Sequence, residues 1–349
     1  MRLTGNGPCE RVEGDVQSVV EDDFLKHGIA LSQDGRTLYG SSHSNVYAWG
    51  YNGHTTRTLL LSQKVPGMLL TAFNVSNMTN SAYDHASSGL LLGWGLRNSV
   101  GVAEDPVFGS MYSVENSVDN IQRSGRTTKE NNPGDEMNFH GFSNGPKTEQ
   151  QGGNYGYPSC FAAWNVTEIP GYNGTTGSQF AIGDQNVTVN DTFCRNDRIA
   201  PRITFAAHMA PLDIKFNPNG TAANREEPIG YKLNFFQFDG KGSPMAPENS
   251  TTAAADIVSN PNISACPSSC FRPVGLAWDA EGRLFMSSDS TGDIYVVTRE
   301  NGSGVANVSE AATGEASPNP TGSGGAPLAS STSAIGVAVI GALGGRLLS

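Results

Sequence analysis

Glu115, Asn116 and Asp119 fall within five residues, and oxygen-bearing side chains at that spacing suggest a site for a hard cation. His54 opens a β-rich run. Its imidazole, with an unperturbed pKa of about 6.5, is a usable proton acceptor near neutrality. By position alone, however, it reads as an ordinary hairpin residue. Arg97 and Arg272 read the same way, as ion-pair formers at strand ends. Cys266-Pro-Ser-Ser-Cys270 has no nearby His and no second Cys pair, so zinc fits poorly. Those two cysteines could instead close a small disulfide loop and Cys160 with Cys194 a longer one, leaving Cys9 over. No Gly-x-Gly-x-x-Gly follows a strand, which disfavours a nicotinamide enzyme. A Gly-x-Ser-x-Gly elbow on a strand–helix turn and a Cys-x-x-Cys-His haem attachment are also absent.

The elements that must position such residues are short strands. Gly and Pro number 42 and 19 in 349 residues, and only 16% are charged, so turn-formers abound while helix-building Lys and Glu are scarce. A net charge of −11 argues against tracking a phosphate backbone, and so against a nucleic-acid partner. A strand–turn–strand unit recurs at His27–Ser42, Val100–Glu115 and Val274–Asp289, the last followed by Gly292–Val297, with looser copies from His54 and His208. Each unit can bury its apolar face only against another copy, and radial stacking into a β-propeller is the natural solution. A four-stranded blade takes about 40–50 residues, yet the copies are unevenly spaced, which implies missing segments.

Asn-x-Ser/Thr occurs eleven times, at Asn74, Asn77, Asn165, Asn173, Asn186, Asn190, Asn219, Asn249, Asn262, Asn301 and Asn307, pointing to a secreted glycoprotein. Residues 1–23 form a poorly defined segment without an apolar signal core. The all-β domain is expected over 24–300 and a disordered Ser/Thr/Gly/Pro-rich stalk over 301–333. The apolar tail 334–349 is too short for a comfortable membrane span and suits a lipid-anchor (GPI) signal, with Ser323-Gly324-Gly325 as the attachment region.

Seven strings, in order along residues 24–299, resemble the glucose/sorbosone dehydrogenase family, above all its secreted fungal pyranose dehydrogenases dependent on pyrroloquinoline quinone. They are Gly53–Leu59 with Lys64–Met68, Gly93–Asn98, Tyr112–Asp119, Asp135–Asn138, Gly153–Pro158, Ala207–Asp213 and Phe271–Ala277. The resemblance implies a six-bladed propeller. It also implies a sugar substrate, with electrons leaving to an external acceptor such as a small quinone or a redox protein. His54 matches the catalytic base. Arg97 and Asn98 match the pair that hydrogen-bonds the quinone carbonyl region, and Arg272 matches the clamp on a cofactor carboxylate. Ser117 and Val118 match the backbone carbonyls that hold calcium.

Compared with that pattern, the chain runs short just before Gly53, at Leu70–Thr71 and between Thr221 and Pro228. Loss of strands there would expose sheet edges and core. Two other functions remain open on the sequence: a calcium-dependent propeller lactonase, and a catalytically inactive binding module or truncated product.

Overall fold

The computed structural model describes residues 29–31, 37–41, 46–51, 56–60, 69–72, 90–119, 121–128, 131–143, 145–183, 186–217, 231–279, 282–298 and 337–342. His54, Cys9 and the whole stalk, 301–333, lie outside them. Residues 2–94 and 95–349 form two separate units.

The first unit holds a four-stranded meander, β1 (Ile29–Leu31), β2 (Thr37–Ser41), β3 (Val46–Tyr51) and β4 (Thr56–Leu60), each strand paired antiparallel with the next. It also holds the pair β5 (Leu69–Ala72) and β6 (Leu90–Trp94). The register of that pair shifts between Leu70 and Thr71, one of the places where the sequence runs short.

In the second unit, β7 (Ser99–Glu104), β8 (Ser110–Glu115), β11 (Glu136–Phe142) and β15 (Ile203–Thr204) make one antiparallel sheet in that spatial order. Small ribbons interrupt it in sequence: β9 (Gln122–Arg123) with β10 (Arg126–Thr127), the short β12 (Gly153–Asn154), and β13 (Cys160–Ala162) with β14 (Gln179–Ala181). Helix α1 (Asp191–Asp197) follows, its first turn capped by Asn190 Oδ1 accepting from the Phe193 N–H. A second sheet contains β16 (Pro211–Phe216), β17 (Lys232–Gln237) and β18 (Ala255–Ser259). A third is β19 (Pro273–Trp278), β20 (Leu284–Ser288) and β21 (Ile294–Val297), so the expected copies at Val100–Glu115 and Val274–Val297 are hairpins.

Strand periodicity explains how the sheets stack. Alternate residues face opposite sides of a strand. On β17, Leu233 and Phe235 pack with Leu276, Leu284 and Met286 of the third sheet, while Phe236, together with Phe238 just beyond the strand, packs with Tyr112, Val114 and Met137 of the first. The middle sheet is therefore buried on both faces. Edge strands of successive sheets also meet. A Cβ at Gly101 of β7 would lie 2.8 Å from Asp213 Cα of β16, and Leu276 N–H of β19 donates to Asp213 Oδ2 at 3.0 Å. Only glycine admits the first of these approaches.

Strands β16 and β17 do not pair with each other. Between them lies β22 (Val337–Ala342), antiparallel to both, within the run expected to be an anchor signal. A segment from far along the chain thus fills the position between β16 and β17, the strands that flank the stretch Thr221–Pro228 where the chain is expected to run short.

Both expected disulfides are present, Cys160–Cys194 and Cys266–Cys270. Near the first, Arg123 makes a bidentate pair with Asp191, at 2.6 and 2.7 Å, and also donates to Pro170 O and Ala181 O. Burial opposes ionisation of Asp191, but the hydrogen bonds from Arg123 and the Ala181 N–H outweigh it and lower its pKa. The sequence offered no sign of this pair. Arg123→Met should destabilise the fold by about 3–5 kcal/mol, because it strands a buried carboxylate. Chemical denaturation of the variant would measure this. Deleting residues 334–349 should free the facing edges of β16 and β17, and faster amide exchange over Ile214–Phe216 and Leu233–Phe236 would report it.

Candidate functional site

The turn Gly95–Asn98 leads into β7, and the loop Asn116–Asp119 leaves β8. Because β7 and β8 are antiparallel, these segments lie at the same end of the sheet, with Asn116 N–H donating to Asn98 O at 3.1 Å. Glu115 ends β8, opposite Ser99 on one side and Glu136 on the other. It is buried. Its Oε1 accepts the Arg97 backbone N–H at 2.5 Å and its Oε2 accepts Ser99 Oγ at 3.3 Å. Glu115 therefore holds the backbone that carries the Arg97–Asn98 pair.

The Arg97 guanidinium reaches back across the loop. Nη1 donates to Ser117 O at 2.7 Å and to Asn116 O at 3.3 Å. Asn98 is exposed, and Ser117 and Val118 are half-buried. The structure thus brings Arg97, Asn98, Ser117 and Val118 together, as the sequence implied. Of the cluster suggested as a cation site, Asn116 Nδ2 instead straps the loop to Pro211 O at 2.8 Å, and Asp119 Oδ1 pairs with His208 Nδ1 at 2.9 Å.

Arg272 stands just before β19. Its Nε donates to Asp289 Oδ1 at 2.7 Å. That pair is partly exposed, with side chains 30% and 44% accessible, so it is worth about 0–1 kcal/mol and a ligand carboxylate can compete for the guanidinium.

Three carboxyls crowd this end of the first sheet. Burial raises Glu115 to about 7, against the pull of its hydrogen bonds from Arg97 and Ser99. Burial and the neighbouring Glu115 raise Glu136 well above the usual carboxylate range. Burial also raises Asp135 to about 6, although the Ser117 and Ala210 amides favour its charged form. A nearby cation would relieve this crowding. The local donors, Ser117 O and Val118 O, are hard oxygens suited to calcium, and a carbonyl oxygen that accepts from Arg97 keeps a second lone pair. For a quinone bearing carboxylates, Arg97, Asn98 and Arg272 supply charge-assisted donors. The residues present fit both groups. Sequence reasoning assigned no role to Glu115 as a backbone clamp or to Asp135; the signal was an acidic residue placed beside a strand otherwise rich in core residues.

Carboxyls with raised folded-state pKa values bind more protons in the native state than in the unfolded one. Their contribution to stability is therefore greatest in acid and is lost as pH rises from about 4.5 through about 7. With a calcium chelator present, the thermal midpoint should be higher at pH 5 than at pH 7.5. A flat or inverted profile would contradict the assignment.

Comparison with known proteins places this geometry. A TrAA12-like family pattern matches residues 1–69 and 68–300. A pyrroloquinoline quinone-dependent sugar dehydrogenase from Hypocrea jecorina is 39% identical over 346 residues, covering 85% of this chain and 80% of that protein. A pyrroloquinoline quinone-dependent pyranose dehydrogenase from Coprinopsis cinerea is 29% identical, covering 81% of this chain and 47% of that longer protein. The calcium structure of the Trichoderma reesei carbohydrate-active enzyme family AA12 superposes with a TM-score of 0.72 at 36% identity, covering 80% of this chain and 82% of that one. The holo form of the Coprinopsis cinerea pyranose dehydrogenase quinone domain gives 0.68 at 26% identity, with 81% and 84% covered. Because that pattern spans residues 1–69 and 68–300, a range that includes the Arg97–Asn98 turn and the Ser117–Val118 loop, the chain belongs to the TrAA12-like family.

Proposed function

We propose that this chain is an extracellular sugar dehydrogenase that uses pyrroloquinoline quinone and calcium on a six-bladed β-propeller. The observation that carries the reading is the Arg97–Asn98 turn held by Glu115 beside the Ser117–Val118 carbonyls, in a chain whose relatives bear that activity in their names. Three sheets stacked face to face, with β7, β16 and β19 edges meeting, support the propeller.

When bound, the quinone supplies the hydride acceptor. Arg97 and Asn98 would hold its carbonyl region and oppose the negative charge that grows there on reduction. Arg272 would exchange Asp289 for a cofactor carboxylate, whose planar shape suits the guanidinium fork. Ser117 and Val118 would hold calcium through their carbonyls. His54, outside the described residues, would take the proton of the sugar hydroxyl, and electrons would leave to an external acceptor.

Secretion is supported by sequons whose asparagines Asn173, Asn186, Asn249 and Asn262 are exposed. Glycan removal that leaves the mass unchanged would count against it. Lipid anchoring and the β22 pairing exclude one another, since an anchor signal leaves the chain on cleavage. Release from intact cells by a phosphoinositide-specific lipase would select the anchor.

Reconstitution with quinone and calcium should give a bound-quinone absorbance and dye reduction with aldose sugars. His54→Ala should cut the rate by about 10²–10⁴-fold. Lactone hydrolysis without quinone would select a propeller lactonase instead, and failure to bind quinone would leave a binding module.

A further inference from the structure

Asp135 stands immediately before β11 and is 3% exposed. Its two carboxylate oxygens accept backbone N–H groups from two different loops: Oδ1 from Ser117 at 2.7 Å, Oδ2 from Ala210 at 2.6 Å. Its own carbonyl accepts the Phe205 N–H at 2.7 Å. A single residue thus joins three segments far apart in sequence.

The Ser117 bond has a consequence for Arg97. In a planar trans peptide, N–H and C=O point to opposite sides. With the Ser117 N–H turned to Asp135, the Asn116 carbonyl of the same peptide must face the other way, and Arg97 Nη1 lies there at 3.3 Å. The next carbonyl, Ser117 O, takes the same nitrogen at 2.7 Å. Asp135 and Arg97 therefore grip one peptide from opposite sides.

The Ala210 bond works on a less relaxed backbone. Ala210 and His208 have φ of 50° and 62°, a region that non-glycine residues seldom occupy without support. Two further links lace this loop to the first: Asn116 Nδ2 to Pro211 O, and Asp119 to His208. Among the described residues, only Asp135 does so from the buried side with both oxygens. Asparagine would fill the same space, but its carboxamide has one acceptor oxygen and would set an N–H against one of the two amides.

We propose that Asp135 is a positioning residue that aims the Ser117–Val118 carbonyls and, through the same side chain, fixes the His208–Pro211 loop beside them. It rests on the reading above that those carbonyls hold calcium for a bound quinone. The test compares wild type with Asp135→Asn by quinone absorbance titrated with calcium, and by amide exchange of the metal-free proteins.

The variant should require about 10–100-fold more calcium for half-saturation, as when an outer partner of a metal ligand is removed, and should recover the wild-type absorbance at excess calcium. Exchange at Ser117 and Ala210 should rise at least tenfold while strand amides of β8 and β11 stay protected. A calcium titration that matches wild type would overturn the proposal. If the variant does not fold, the wild type still decides: unprotected Ser117 and Ala210 amides in the metal-free protein would also overturn it. If wild type binds no quinone, the dehydrogenase reading fails, and the exchange data alone judge the clamp.

Discussion

Leu233 and Phe235 leave β17 on one side and Phe236 on the other, and a neighbouring sheet packs against each. Burial on both faces governs the rest of this molecule. A sheet so enclosed has no solvent face on which to carry chemistry, so polar function is driven to strand ends and the loops beyond them. The Arg97–Asn98 turn, the Ser117–Val118 loop and the His208–Pro211 loop lie there, joined to one another by hydrogen bonds of 2.6–3.3 Å. Arg272 lies there too, immediately before β19.

The same enclosure gives buried carboxylates their meaning. Glu115, Asp135 and Glu136 sit where desolvation penalises charge; Asp135 raises the cost for both glutamates, and Glu115 raises it for Glu136. Such groups are retained where they perform work that apolar residues cannot. Glu115 anchors the turn that carries Arg97 and Asn98, and Asp135 anchors two loops at once. Buried acids here act on backbone amides, not on side-chain cations. The contrast is Arg123–Asp191, where a buried acid meets a guanidinium and its pKa falls.

Much of this was legible in the sequence for a physical reason. Hairpins with alternating apolar residues around a glycine turn announce themselves locally, and β7–β8 and β19–β21 appear where Val100–Glu115 and Val274–Val297 predicted them. The cysteine pairing was legible because Cys266 and Cys270 lie four residues apart, which leaves only Cys9, Cys160 and Cys194 for a second bridge. Arg97, Asn98, Ser117 and Val118 were singled out through a resemblance of motifs, and their proximity follows from one antiparallel pairing. Asp135 and the Arg123–Asp191 pair were not found. Their partners are 75 and 68 residues away, and nothing local distinguishes a carboxylate that will accept a distant amide from one in an acidic turn.

Sheet completeness is the remaining thread. The family match falls into two pieces meeting at residues 68–69, and the register of β5 on β6 slips beside them at Leu70–Thr71. The match to the Hypocrea jecorina enzyme runs over 346 positions yet uses 85% of this chain's 349 residues, so dozens of the relative's residues have no counterpart here. A sheet that loses an internal strand leaves two rows of unpaired N–H and C=O groups facing each other across a gap of one strand. Strand β22 meets that demand between β16 and β17, pairing Ile340 with both Ile214 and Asn234. Backbone pairing asks little of sequence, which is why a distant apolar run can stand in for a strand. The strand ends around Glu115 ask more, because Arg97, Ser117 and Asp135 must meet at hydrogen-bonding distance. That part of the fold, from Gly95 to Pro211, contains none of the places where the chain runs short.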